Sequence, residues 1–533
     1  MKVFLLGGTG VFGSRLARLL VRDGHHVTIA GRNLKLAQTL ADELKCHAHQ
    51  MDRNGDLRAL AGHDVLVDAA GPFHVYGADP YRLAKAALDA GMHYLDLSDN
   101  AAFCAGIAEL DETARARGLC AISGLSSVPA LSSAAVRALA GTEVPRLIDS
   151  AILPGNRSPR GLSVMASILT QAGRPMRVWR GGAWTETTGW SDPMDYQLLD
   201  GTVRQGWQIE VPDLTLFPAH FKADSVRFRA GLELWVMRYG LWAFAQLCRI
   251  VPIPITGPLL RSFKFAANLL APFGSGRGGM SVMVTVDGER RFWRLLAEDG
   301  DGPFIPAVAA RALLRRSQLP VGAAPALETI TLAEAEAAMS DLRVRTERRA
   351  EAYTALFPRV LGTEFSTLPV AIQKTHRTLD ISRWQGQATV HRGKSPWARL
   401  LAWVFRFPPA AENVPVEVIK TVTKRGETWR RNFGKTHFRS RLAATPHGII
   451  ESFGPFTFLL GIKVTDRELH YPVHSGRLGP LPLPGWLLPL SDAREFESEG
   501  VFHFDIRLLA PLTRKLIVHY QGSLIAAPEK NSV

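Results

Sequence analysis

Cysteine is scarce: the 533 residues contain four, Cys46, Cys104, Cys120 and Cys248, with no Cys-x-x-Cys pair. That spacing excludes a disulfide frame and a zinc–thiolate site, and it predicts reduced thiols in a cytoplasmic protein. Acidic residues are outnumbered, 49 Asp and Glu against 63 Lys and Arg, for a net charge of +14. Such a surplus favours anionic partners such as a phosphorylated cofactor or an anionic lipid surface. Polybasic runs and nucleic-acid-binding motifs are missing, so nucleic acid is not an expected partner. The apolar opening Met1–Leu6 is broken by Gly7, Gly8 and Gly10, too early for a secretion signal.

What is present begins at once. The apolar run Val3-Phe4-Leu5-Leu6 leads into Gly7-Gly8-Thr9-Gly10-Val11-Phe12-Gly13 and then the amphipathic stretch from Ser14 to Leu20. A buried strand, a tight glycine turn and a helix start, in that order, build a dinucleotide-phosphate site. Gly8 is expected to permit the turn, Gly10 to admit the pyrophosphate to backbone N–H groups, and Gly13 to let helix and strand pack closely. The helix N-terminus adds free donors and a positive dipole end.

The second strand, His26 to Ala30, decides which nucleotide. An NAD site usually carries Asp or Glu just beyond it, for the ribose 2′-hydroxyl. None is there. Gly31-Arg32-Asn33 follows instead, with Lys35 one helical turn on. A guanidinium suits the 2′-phosphate of NADP in charge and in shape. The expected cofactor is NADP.

Strands and helices alternate up to residue 123, which predicts a doubly wound parallel sheet with its ligand beyond the carboxyl ends of the strands. Asp52 follows the third strand and is placed near adenine. Ala70, Gly71 and Pro72 follow Asp64–Ala69 and would pass the nicotinamide-side phosphates. Asp96, Ser98 and Asp99 lie past His93–Leu97, and Gly124 to Pro129 past the next strand. Ser98 and Asp99 suit helix capping as well as function. Tyr81 and Lys85 spell the Tyr-x-x-x-Lys of short-chain dehydrogenases, but they come before the fifth strand, too early for that catalytic pair.

From about residue 145 the texture changes. Thr185 to Gln208 reads as turn-rich sheet. Leu232 to Ala271 combines aromatic and aliphatic residues with Arg238, Arg249, Arg261 and Lys264 and almost no acid. Its uncharged runs fall short of the ~18–20 residues of a membrane span, and prolines at 252, 254 and 258 oppose one continuous helix. It suits an interfacial element on an anionic membrane, the lid of an apolar pocket, or a domain-packing helix pair. A hairpin about Asp287-Gly288, a helix from Gly302 to Arg316, and a strand and helix within Glu328–Leu342 follow, with a boundary in the charged stretch Arg343–Glu351. The last part reads as antiparallel β: a hairpin about Arg425-Gly426, a meander from Gly448 to Val473, and a strand from Phe502 on which His503, Asp505 and Arg507 share a solvated face. No metal-ligand spacing accompanies it.

The glycine loop, Arg32, Gly71-Pro72-Phe73 with Tyr76-Gly77, the run Gly91 to Leu97, and Ser127-Val128-Pro129 stand in the order found in saccharopine dehydrogenase-like oxidoreductases. The chain resembles that family, and in particular its trans-acting enoyl reductase branch. Two positions depart from the family's pattern: Ser126 stands where an acid is common before the Ser-Val-Pro turn, and Ala87 where a cysteine is common. The tail, with Trp429-Arg430-Arg431-Asn432-Phe433 and Glu451-Ser452-Phe453-Gly454-Pro455, resembles a bacterial C-terminal domain of unknown function fused to such proteins. The resemblance implies NADP binding, a second domain covering the cofactor, and reductase chemistry.

The expected fold is α/β: a Rossmann domain over 1–130, a mixed α/β substrate domain over 131–345 containing the apolar segment 232–271, and a β-rich domain over 350–533. The expected function is NADPH-dependent reduction of a hydrophobic, lipid-linked or small-molecule substrate. Tyr94, Asp96, Asp99 and Tyr76 are the proton-donor candidates. The competing readings are a non-catalytic NADP- and lipid-binding protein and an amino-acid dehydrogenase of saccharopine type, for which no placed set of arginines is recognisable. The expected location is cytoplasmic, with peripheral attachment to the inner membrane if segment 232–271 is interfacial.

Overall fold

The computed structural model describes residues 1–251 and 253–527; Pro252, one of the prolines noted above, lies outside the described residues. The chain divides into two compact units, Met1–Trp179 with Trp184–Glu351, and Arg180–Ala183 with Ala352–Val533.

The N-terminal unit opens with β1 (Lys2–Leu6), α1 (Val11–Arg22), β2 (His26–Gly31), α2 (Leu34–Leu44) and β3 (His47–Gln50). It continues through β4 (Val65–Asp68), α3 (Arg82–Asp89), β5 (His93–Asp96) and β6 (Cys120–Ser123). The α1 sequence turns Leu16, Ala17, Leu19 and Leu20 inward and its arginines outward, the three-to-four spacing of a half-buried helix. Asn33 caps α2 by accepting from the Leu36 N–H, and Lys45 ends it in the left-handed region. The strands form a parallel sheet in the order β6-β5-β4-β1-β2-β3, so the order reverses between β1 and β4. That reversal opens a crevice at the carboxyl edge.

A seventh strand, Gly322–Pro325, joins this sheet beside β6. It lies ahead of the Glu328–Leu342 stretch in which a strand was expected; only the helix Leu332–Ala338 falls there, opened by a Thr331–Glu334 capping box. Gly-Ala-Ala-Pro lacks the β-branched residues that mark a strand, and its place comes from tertiary pairing. The helix expected from Phe103 to Arg117 is broken into Ala101–Gly106, a tight turn at Ile107–Leu110, and Asp111–Ala116. At Gly106 a Cβ would collide with the Tyr81 hydroxyl.

A second, mixed sheet of seven strands spans Leu147 to Ala352. Its last strand is Val344–Ala352, so the charged stretch expected to hold the boundary is an exposed edge strand, whose charges keep that edge from pairing further, and the chain divides at its end, after Glu351. The apolar segment folds as two helices, Trp235–Ile250 and Gly257–Leu269.

The C-terminal unit is built on one antiparallel sheet of thirteen strands. Ala411–Thr423 and Gly426–Phe433 form the expected hairpin. The expected meander is interrupted. Phe456–Leu460 pairs with Gly448–Phe453 and Val473–Leu478, whereas Glu468–His470 pairs with Leu490–Ser498 on the other flank. Consecutive left-handed residues, Asp466 and Arg467, make the tight turn between Lys463–Thr465 and Glu468–His470, which pair on that other flank. On the strand Val501–Leu509, Phe502 and Phe504 are buried, while Asp505 pairs outward with His519 at 2.7 Å, a structural role.

One buried ion cluster fixes α1 from behind. Arg311, 2% exposed, gives Nε and Nη2 to the two oxygens of Asp23, both at 2.8 Å, and Nη1 to the Ala338 carbonyl at 2.8 Å. Asp23 is the C-cap of α1. Arg315 also donates to both oxygens of Asp23 at 2.8 Å, so without Arg311 that carboxylate keeps one partner while the Ala338 carbonyl loses its donor. Arg311→Leu is expected to cost about 1.5–3 kcal/mol in denaturant unfolding of the N-terminal unit; a loss under about 0.5 kcal/mol would deny the cluster that role.

Candidate active site

The crevice is built from backbone first. Gly7 takes φ +74°, and the Gly7 and Gly8 N–H groups both donate to the Ala30 carbonyl, at 2.9 and 3.2 Å. The left-handed residue of the turn is therefore Gly7 and not Gly8. At Gly13 a Cβ would collide with the Gly7 carbonyl, so α1 begins directly against the turn. Gly10 is the N-cap of α1 and supplies no side-chain cap, which leaves the first-turn N–H groups of Val11, Phe12 and Gly13 facing out of the helix end. On the far side of the turn, the Ala69 carbonyl and Ala70 Cα would lie 2.6 Å from a Cβ on Gly7. The loops 7–13 and 69–72 thus form one lip, and Thr9, Ala70, Gly71 and Pro72 share it.

Arg32 leaves the end of β2 with an exposed side chain, and its carbonyl takes a hydrogen bond from Gln50 Nε2 at 3.0 Å. Lys35 is exposed one turn on. Asn33 uses its side-chain oxygen as the α2 cap. Asp52 sits in the next loop and accepts from the Asn54 N–H at 2.9 Å. A dinucleotide fits these residues: an uncapped helix end for the pyrophosphate, a turn that excludes any Cβ, and an exposed guanidinium at the ribose position. Among the described residues, no group of three or more His, Cys, Asp or Glu gathers as a metal site.

Beneath the lip lies a pair of buried carboxylates. Asp68 ends β4 and Asp96 ends β5, paired in register on the same face of the sheet. Asp96 Oδ1 accepts from the Ser98 N–H, the Gly124 N–H and Ser123 Oγ at 2.8–3.0 Å, while Oδ2 has no partner. Asp68 accepts from the Ala70 N–H and the Tyr76 hydroxyl, both at 2.9 Å. Burial pushes Asp68 up to about 6 and Asp96 up to about 7, and the neighbouring Asp68 charge adds to the rise at Asp96. Both acids thus keep their protons to higher pH than an ordinary carboxyl, Asp96 further than Asp68. Tyr94 lies beside both, and burial with the two carboxylates raises its phenol well above the ordinary value. Arg53 covers the Tyr76 ring at 3.8 Å and gives Nη2 to the Val75 carbonyl.

The candidate donors are therefore sorted by depth. Tyr94 and Asp96 are sealed in the floor, at 1% and 0% exposure. Asp99 is exposed on a turn whose neighbour Asn100 caps the next helix, and Ser98 accepts from the Asn100 N–H. Tyr76 is half-buried and touches both the surface and Asp68. The Tyr81–Lys85 pair does not form: the Tyr81 hydroxyl donates to the Phe103 carbonyl, and Lys85 pairs with Asp79. Sequence reasoning passed over Asp68, whose signal was an acid closing a buried apolar strand. It also passed over Asp213, at the start of the helix Pro212–Phe221, which resembles an ordinary first-turn acid. Asp213 is 1% exposed, its oxygens have no hydrogen-bond partner within full bonding geometry among the described residues although Ser132 lies close enough to act on it, and burial pushes it up to about 8.

Comparison with known proteins agrees with this geometry. Residues 3–122 match the saccharopine dehydrogenase NADP binding domain, and residues 368–524 match a domain of unknown function, DUF4166. No curated protein matches the chain. Among solved structures, saccharopine dehydrogenase (L-Glu forming) from Saccharomyces cerevisiae is similar at 14% identity and a TM-score of 0.43, over 65% of this chain and 99% of that one. The TT0495 protein from Thermus thermophilus is similar at 28% identity and a TM-score of 0.15, over 18% of this chain and 54% of that one. BdcA from E. coli is similar at 24% identity and a TM-score of 0.19, over 23% and 82%. The N-terminal region is an NADP-binding domain of the saccharopine dehydrogenase type. Its cofactor is NADP, and the domain marks the chain as an NADP-dependent oxidoreductase.

Arg32→Ala tests the reading of the 2′-phosphate. A charge-assisted hydrogen bond of about 1.5–3 kcal/mol corresponds to a loss of about 10- to 100-fold in NADPH affinity, with NADH affinity unchanged. Equal losses for both nucleotides in a fluorescence titration would remove Arg32 from that role.

Proposed function

We propose that the protein is an NADPH-dependent reductase whose substrate is hydrophobic and reaches the crevice from an anionic membrane surface. The observation that carries this reading is a continuous apolar path within the N-terminal unit. Gly161 lies against the start of α1, where a Cβ would stand 3.5 Å from Val11 Cγ2. From there runs the half-exposed helix Leu162–Gln171, Leu-Ser-Val-Met-Ala-Ser-Ile-Leu-Thr-Gln, whose far end packs into one cluster with Leu241, Phe244, Ala245 and Phe263 of the helix pair 235–269. That pair in turn exposes Trp235 (66%), Ile250 (81%), Phe265 (71%) and, just beyond it, Phe273 (75%).

No residue from 234 to 286 is acidic, whereas Arg238, Arg249, Arg261 and Lys264 interrupt the apolar surface. Aromatic rings beside bases, without carboxylates, complement an anionic interface. No described helix is long and apolar enough to cross a membrane, which agrees with a surface contact. A small amino-dicarboxylate suits the unit poorly. Buried Arg204 and Arg229 are already paired, with Glu233 and with Asp192 and Asp149, and Arg311 is held by Asp23 and Asp341.

NADPH supplies the hydride to a polarised C=C, C=O or C=N bond. Every other part of the step belongs to this chain's residues. The first turn of α1 and Arg32 hold the dinucleotide, and the 69–72 lip orients its nicotinamide side. Tyr76 donates the proton that balances the hydride, and Asp68, as the neutral acid, passes its own proton to the Tyr76 oxygen as the first leaves. This concerted transfer avoids a free phenolate, which burial and the Asp68 charge make costly. Asp96, fixed by three donors, holds the floor beneath them.

Tyr76→Phe is expected to lower kcat with NADPH about 100-fold or more while NADPH affinity stays unchanged. Because the acid form of Asp68 is required, turnover is highest at low pH and falls as pH rises through about 6. A full-rate Tyr76→Phe enzyme would remove the phenol from the step. The membrane contact is tested separately, by flotation with phosphatidylglycerol vesicles. The wild type is expected to float and to be released by salt, and Trp235→Ser with Ile250→Ser and Phe265→Ser is expected to stay at the bottom. Equal flotation of both proteins, or flotation with neutral vesicles alone, would contradict it.

A further inference from the structure

We infer that the C-terminal unit contains a ligand site of its own, for a small neutral amphiphile: an alcohol, aldehyde or ketone with a ring or medium-length alkyl body. The thirteen-stranded sheet curls until strands from both flanks line one cavity of about 120 Å³. A cavity of this size approaches the engineered apolar voids that admit benzene. Most of its wall is hydrocarbon, including Phe405, Phe407, Phe438, Leu442, Ile449 and Phe458. Such a wall holds an alkyl or aromatic body by burial and dispersion.

The polar end of the cavity defines the head group. Arg431, Glu451, Tyr471, Glu495 and Tyr520 meet there. Arg431 is already neutralised, pairing with Glu451 at 3.2 Å, giving Nη1 to Ser440 Oγ at 2.8 Å and lying over the Trp429 and Phe438 rings. Glu495 accepts from Tyr471 and pairs with His376, and the buried Lys420 ammonium is near enough to act on its charge. The charges thus cancel in pairs, and an ionic head would enter without an unspent counter-charge. An anion would also meet two carboxylates.

One group is left over. The Tyr520 ring is 8% exposed and packs on Phe433 and Phe504, yet its hydroxyl has no hydrogen-bond partner among the described residues. A phenol can donate to a carbonyl or exchange a hydrogen bond with an alcohol. A buried hydroxyl normally finds such a partner. A neutral oxygen on the ligand satisfies it without importing charge. The site lies wholly within residues 405–520 and is independent of the nucleotide site.

The test uses the full chain and 1-octanol, with octanoate as the charged counterpart, by isothermal titration calorimetry. Saturable binding of one 1-octanol per chain is expected, with octanoate at least about tenfold weaker. Tyr520→Phe is expected to weaken 1-octanol about fivefold, the effect of one net hydrogen bond. Ile449→Trp, which fills the cavity, is expected to abolish binding while NADPH affinity is retained. Should Ile449→Trp fail to fold, the isosteric Tyr520→Phe and the octanol–octanoate ratio still decide. No saturable binding, equal affinity for octanoate, or unchanged binding in Tyr520→Phe would overturn the inference. Unchanged binding in a folded Ile449→Trp would place the alcohol on the exposed helices of the other unit and overturn it as well.

Discussion

The N-terminal unit depends on the close approach of Gly13 to the Gly7 carbonyl. Any Cβ at position 13 would push α1 off the turn, and the first-turn N–H groups would no longer converge where an anion can lie. The same turn sets the neighbouring loop, because Gly7 abuts the backbone of Ala69 and Ala70. Through Ala70 the constraint reaches Asp68, which accepts the Ala70 N–H. The phosphate cradle and the acid pair are therefore two consequences of one backbone contact at the reversal of the sheet.

The acid pair shows how burial makes a useful group from an ordinary one. Asp68 and Asp96 are adjacent carboxylates with no cation in direct contact. Low dielectric raises both above the ordinary carboxyl range, and the Asp68 charge raises Asp96 further. Their environments differ. Asp96 is fixed by three donors and faces no route to the surface, whereas Asp68 is joined to the half-exposed Tyr76. Depth, more than residue type, separates the sealed acid from the one linked to the surface.

Much of this was legible in the sequence where local rules and tertiary structure agree. The glycine turn, Arg32 beyond β2 and the parallel alternation each follow from a short window, and the structure places them at one sheet edge. Where tertiary contacts decide, the sequence misleads. Gly322–Pro325 is a strand only because β6 offers it an edge. Tyr94, a donor candidate within its strand, points into the floor, since it stands in register with buried Leu66 and shares the face of Asp68. Asp68 itself was hidden as the last letter of an apolar run. The curl that joins Glu468–His470 to Leu490–Ser498, and so closes the C-terminal cavity, rests on pairings that no local pattern records.

We propose that hydride passes from NADPH at this edge to an apolar substrate drawn from a lipid surface. The most direct measurement is deuterium transfer. The protein is incubated with NADPH deuterated at the transferable position and with phosphatidylglycerol vesicles carrying enoyl- and keto-lipids, and the extracted lipids are weighed by mass spectrometry. One deuterium in a reduced lipid for each NADPH consumed is the predicted result. NADPH that binds tightly but leaves every lipid unlabelled would contradict the account and favour a protein that holds both ligands without chemistry.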